Sequence, residues 1–145
     1  MRAVADTGPL FDAISKREPA HEAAAELVAL MGRGLVVLGW VAAELDYLVR
    51  RRVGAHAARA FARSLADGVH QFVPGSQGLL ERAVEIDSRH ADLGLGLVDA
   101  SVMAYAERHD LPILTFDFKH FRAARPQRGA WRLVMSEDQY RRVLA

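Results

Sequence analysis

Residues 3–9 read Ala3-Val4-Ala5-Asp6-Thr7-Gly8-Pro9, a short apolar run that stops on an acid and passes into a Gly-Pro step. A run that is apolar at every position, not at alternate ones, has the pattern of a strand buried on both faces. The pattern returns at Leu35 to Leu38, Gln71 to Val73, Ile113 to Phe116 and Trp131 to Val134, and so predicts five short strands. Between them, helical periodicity covers Pro19 to Met31, Val41 to Arg51, Gly54 to Ala66, Gln77 to Arg89 and Val98 to His109, with a last helix from Glu137. Strands alternating with helices require βαβ crossovers, so an α/β fold with a mostly parallel sheet of about five strands is expected.

The 145 residues make one domain, 1–145, and the chemistry of the chain is therefore expected to converge on one site. With 51% hydrophobic and 26% charged residues the composition is that of a globular protein. Gly32-Arg33-Gly34, Val73-Pro74-Gly75-Ser76 and Arg125-Pro126 read as loops, all too short to link domains. Cysteine is absent, which removes disulfides, thiolate nucleophiles and Cys-ligated zinc. Asp6 and the Gly-Pro step interrupt the start of the chain before a signal segment can form, and the longest apolar run, Leu35 to Ala43, falls far short of the ~20 residues of a membrane span. A cytoplasmic protein with no membrane partner is expected. The net charge of +1 gives no global field for nucleic acid, so any such binding needs a local patch. Lys16 and Lys119 are the only lysines, and arginine, which supplies the remaining positive charge, is the better bidentate phosphate ligand.

Ligands of open parallel sheets bind beyond the carboxyl ends of the strands. Asp6 directly follows the first strand and Asp117 follows Ile113 to Phe116, which assigns both to that edge. Glu44 shares a helical face with Val41, Leu45 and Leu48, and Asp99 shares one with Leu95, Val98, Val102 and Ala106, so both acids are expected to look inward. Each acid taken singly has an ordinary reading. Asp6 or Thr7 can cap a helix with Pro9 near its start, Asp99 can cap its own helix, and Glu44 or Asp117 can pair with an arginine. Four together are different, because carboxylates in apolar surroundings without matching bases favour a cation, and oxygen ligands select Mg²⁺ or Mn²⁺ over zinc. His56, His109 and His120 lack the helical HxxxH spacing of a zinc site.

Four stretches then fall into a familiar order: Ala5-Asp6-Thr7-Gly8-Pro9-Leu10, Val41-Ala42-Ala43-Glu44-Leu45, Leu93-Gly94-Leu95-Gly96-Leu97-Val98-Asp99-Ala100-Ser101, and Leu114-Thr115-Phe116-Asp117 followed by His120-Phe121. This series resembles the motifs of PIN-domain nucleases, and among them the VapC-type toxins of bacterial toxin-antitoxin modules. The resemblance implies a three-layer α/β/α PIN-like domain and an Mg²⁺- or Mn²⁺-dependent endoribonuclease acting as a type II toxin. Asp6, Glu44, Asp99 and Asp117 would be its metal ligands and catalytic residues, with Thr7 and Thr115 supporting them. One or two ions would activate a water for in-line attack on a phosphodiester, leaving a 5′-phosphate and a 3′-hydroxyl. RNA as substrate, a homodimer and a small VapB-like antitoxin are implied as partners. The chain departs from some members at Lys119, where they carry a further acid, and Asp92 reads as a surface loop acid.

Phosphate contacts are expected from Arg122, Arg125 and Arg128, just past the fourth acid, whereas Arg50 to Arg52 read as a solvated helix C-terminus favoured by the macrodipole. The apolar faces of the Pro19 to Met31 and Gly54 to Ala66 helices are candidate docking surfaces. A receiver-type phosphoacceptor domain would need an acidic pair after the first strand, and a haloacid-dehalogenase-like phosphatase would need a second Asp at position 8, which is glycine. A PIN-like domain that binds RNA or a partner without cutting is the remaining alternative.

Overall fold

In the computed structural model, which describes residues 1–145, the opening apolar run becomes β1, Ala3–Ala5, and its place in the sheet explains its composition. The other strands are β2 (Leu35–Leu38), β3 (Gln71–Val73) and β4 (Ile113–Leu114), in the order β3-β2-β1-β4. All pairings are parallel, with Val4 opposite Val36 on one side and Ile113 on the other. Both interior strands, and β4 as well, are wholly buried, which is why they carry no polar alternation.

The helices are α1 (Thr7–Ile14), α2 (His21–Met31), α3 (Gly39–Arg52), α4 (Ala55–Ala66), α5 (Gln77–Arg89), α6 (Gly96–His109), α7 (Phe118–Ala123) and α8 (Glu137–Leu144). They flank the sheet as the outer layers of an α/β/α fold, with α1 packed on α2 and α3, α3 on α4, and α5 on α6. α6 is buried at seven consecutive positions, Ala100 to Ala106, so it is apolar all round and lies inside the molecule. At the start of α3, a Cβ on Gly39 would stand 2.8 Å from the Pro74 carbonyl oxygen, so only glycine lets the β2–α3 and β3–α5 connections pass this closely.

Four expectations need correction. The fifth strand, Trp131 to Val134, is reduced to one parallel bridge between Ile113 and Leu133, held by Ile113 N–H to the Arg132 carbonyl at 2.8 Å and Val134 N–H to the Ile113 carbonyl at 2.9 Å. Arg132 is exposed and its neighbours only half buried, so this segment is an edge and has nothing beyond it to pair with. β4 ends at Leu114, short of the expected Phe116, and the next residue, Thr115, donates its hydroxyl to Asp6 and accepts the Asp117 backbone N–H. The helix α1 begins where Asp6 or Thr7 reads as a cap with Pro9 near its start, but its length to Ile14 was not expected, and α7, only six residues long, was not foreseen. The apolar faces proposed for docking turn inward: α2 buries Ala24, Val28 and Met31, α4 buries Ala58, and of these helices' large apolar side chains Leu30 is the exposed one.

Leu45 is fully buried on α3 within the main core. Leu45→Ala should cost about 2–5 kcal/mol of stability, seen in urea unfolding as a lower midpoint with an unchanged slope.

Candidate active site

β1 carries Asp6 to the carboxyl edge of the sheet, where it serves as N-cap of α1. Its Oδ1 accepts the Thr7 backbone N–H at 2.9 Å, and its Oδ2 accepts the Thr115 hydroxyl at 2.7 Å. Thr115, fully buried just past β4, also accepts the Asp117 backbone N–H at 3.0 Å on the same oxygen. One hydroxyl thus fixes both strand-end acids, and the cap at Asp6 uses only one of its two oxygens. β1 and β4 are where the sheet order reverses relative to the chain, the place at which a crevice opens in such sheets.

Asp99 enters from the first turn of α6, whose N-cap is Leu95, so it is not the cap of its helix. Its Oδ2 lies 2.9 Å from His120 Nδ1, and the same nitrogen is 2.8 Å from Asp117 Oδ2. Asp117 in turn caps α7 through Oδ1, which accepts the His120 backbone N–H at 3.2 Å. Asp6, Asp99 and Asp117 are therefore brought together, with His120 between the last two.

Glu44 behaves differently from the expectation: it is exposed. The buried line of α3 is Val41, Leu45 and Val49, and Glu44 lies about 100° around the helix from Leu45, on the flank of that line. Its charge still reaches the site, since it is among the causes that raise Asp99. The expectation that no base matches the acids also fails, because His120 does. Its signal was the three-residue spacing from Asp117, which places two side chains on one face of a helical turn.

The electrostatics follow from burial and like charge. The Asp6 carboxyl is pushed up to about 7, first by burial and then by the Asp99 and Asp117 charges, while Thr115 and Thr7 pull it down. Burial also raises Asp99, against the pull of His120. His120 is raised in turn, chiefly by its hydrogen bond to Asp99. A divalent cation suits this donor set. Ligand atoms of Asp99, Asp117 and His120 all lie within 4.8 Å of one another, and the Thr7 hydroxyl, beside Asp6, is buried with no hydrogen-bond partner.

Of the other residues singled out, Arg122, Arg125 and Arg128 are all exposed, Arg122 pairing with Glu137 at 3.2 Å. Arg50 bonds Asp46 at 2.8 Å and Arg52 stacks over Phe11, so the basic end of α3 is engaged locally. Lys119 and Asp92 are exposed, the latter in a short 3₁₀ turn.

Residues 3–126 match the model of the PIN domain family. The chain is 37% identical over 127 residues to the ribonuclease VapC26 of Mycobacterium tuberculosis, covering 87% of this chain and 94% of that protein. Its fold is similar to the crystal structure of M. tuberculosis VapC20, a sarcin-ricin loop cleaving toxin, with a TM-score of 0.76, 24% identity and coverage of 83% of this chain and 94% of that one. It is also similar to a chain of a toxin-antitoxin complex from Klebsiella pneumoniae, with a TM-score of 0.62, 25% identity and coverage of 82% and 89%.

The raised Asp6 carboxyl sets a pH dependence. Its folded pKa lies above its unfolded value, so its contribution to stability is full below about 4 and is lost as pH rises towards about 7. In excess chelator the wild type should lose stability across that window. Asp6→Asn should flatten the profile and be the more stable protein at pH 8, as read by thermal unfolding.

Proposed function

The chain belongs to the PIN domain family, and from that premise we propose that Asp6, Glu44, Asp99 and Asp117 form the active site of its ribonuclease activity. The protein is an endoribonuclease, the toxin of a toxin-antitoxin system, and its substrate is RNA. Nucleases of this family depend on metal, and Mg²⁺ or Mn²⁺ is the cation we assign to this site. The observation that carries the assignment is the convergence of Asp6, Asp99 and Asp117, from three separate elements, on one edge of the sheet, with the Asp6 carboxyl raised by burial and then by the other two.

The cation, when bound, supplies positive charge to the phosphoryl oxygens and lowers the pKa of nearby water. The residues supply placement. Thr115 and the Thr7 backbone hold both oxygens of Asp6 in fixed directions. Asp99 stands at the start of a helix whose next seven residues, Ala100 to Ala106, are buried, which fixes its position when like charges approach. Exposure increases from Asp6 through Asp99 and Asp117 to Glu44, so the acids are reached from solvent past Asp117 and Glu44. No side-chain nucleophile is needed, in keeping with the absence of cysteine.

Immediately beyond Asp117, Phe118, Phe121, Arg122, Arg125 and Trp131 line a groove, and Arg128 borders the hollow next to it. We assign the RNA backbone to this path, with Arg125 and Arg128 as phosphate contacts and Arg122 shared with Glu137. Residues 1–145 act as one domain in this reading, with a second copy of the chain and a small antitoxin as protein partners.

Purified protein should cut RNA with Mg²⁺ or Mn²⁺ and leave it intact in excess chelator. Asp99→Asn should lower the rate by on the order of 10²–10³ without lowering the melting temperature. Retention of full cleavage in chelator would overturn the mechanism, and tight RNA binding without cleavage in either ion would favour the non-cutting module. Arg125→Ala and Arg128→Ala should each weaken RNA binding and reduce the salt dependence of log K by about 0.7, measured by titration at several salt concentrations.

A further inference from the structure

We propose that His120 is a nitrogen ligand of the cation held at this site and makes the site prefer the transition ion Mn²⁺ over Mg²⁺. This rests on the assignment of the acids as a metal site and adds a donor that the four-acid set lacks. His120 Nδ1 stands 2.9 Å from Asp99 Oδ2 and 2.8 Å from Asp117 Oδ2. Adjacent ligands on an octahedral ion with the 2.0–2.1 Å bonds of Mg²⁺ are separated by about 2.9 Å, so the spacings are of the size an octahedral edge requires, and the choice between ions rests on the donor type. The same spacings suit a hydrogen bond from the ring to both carboxylates, and the experiment below separates the two roles.

The ring is held in that position. Asp117 Oδ1 accepts the His120 backbone N–H at 3.2 Å, while the next residue, Phe121, is buried in the core and anchors α7. His120 is also the sole basic group paired with any of the four acids; the ion pairs of Arg and Lys all lie elsewhere. The donor set is thus mixed carboxylate and imidazole, not pure oxygen. Mg²⁺ takes oxygen ligands and gives up water reluctantly, whereas imidazole is a ligand of transition ions, and one nitrogen in the set shifts the preference towards them.

The test uses the full chain, titrated with Mn²⁺ and with Mg²⁺ and studied by calorimetry and by pulsed electron paramagnetic resonance of bound Mn²⁺. Wild type should show ¹⁴N coupling to Mn²⁺, and His120→Asn should lose it. The same substitution should weaken Mn²⁺ binding roughly tenfold while Mg²⁺ binding changes much less. Bound Mn²⁺ without nitrogen coupling in the wild type would overturn the proposal, as would an equal loss of affinity for both ions, which would leave His120 a positioning residue. Because the wild-type spectrum alone decides the nitrogen ligand, the result stands even if His120→Asn folds poorly. Failure of wild type to bind Mn²⁺ at millimolar concentration would instead bring down the assignment of the acids, and the proposal with it.

Discussion

The structure is organised around the difficulty of keeping the Asp6 carboxyl out of water beside two other carboxylates. Asp6 is almost completely buried at the end of a central strand, and no arginine or lysine is paired with it. A buried charge is tolerated when it is hydrogen-bonded or coordinated. Two hydrogen bonds, from Thr7 and Thr115, meet part of that need, and the raised pKa shows that they do not meet it all. The sheet thus carries a local destabilisation at the edge where we propose its chemistry is done, as strained functional sites commonly do. A bound cation would offset it.

The rest of the fold serves to keep the acids from escaping this arrangement. Asp99 is carried by a helix anchored through the buried run Ala100 to Ala106, and Asp117 is pinned by its own backbone N–H to Thr115. The far side of Asp117 is closed by α8. Tyr140 packs on Phe116 at 4.5 Å between ring centroids and on Phe118 at 5.5 Å, the two residues flanking Asp117 in the chain. α8 is itself fixed at its start by a capping box between Ser136 and Gln139. An exposed C-terminal helix with no buried residue therefore still orders the strand-end acid.

Much of this was legible in the sequence, for physical reasons that differ by residue. The parallel sheet could be read because strands covered on both faces have no polar side to disguise them, as at Val36 and Val37. Asp6 and Asp117 could be placed because the carboxyl edge of such a sheet is a geometric rule. Glu44 was misjudged because helical periodicity resolves a face only to about one residue, and the buried line of α3 passes through Leu45 instead. His120 reads in the sequence only as lacking zinc spacing and as part of the fourth motif, because its contact with Asp99, 21 residues away, is made only by tertiary structure. Trp131 to Val134 has the apolarity of a strand, but apolarity does not say how many neighbours an edge segment will find.

The hydrogen bond between Asp6 and Thr115 spans 109 residues of chain. Contacts this distant in sequence close late, since the entropy of the intervening loop must be overcome before they give any return. During translation, Asp6 emerges among the first residues, yet its neighbours at Asp99, Thr115 and Asp117 are not yet made. A nascent or prematurely terminated chain lacking β4 has no place to assemble the acids. The connectivity of the sheet thereby leaves the acid cluster unformed until nearly the whole polypeptide has been synthesised.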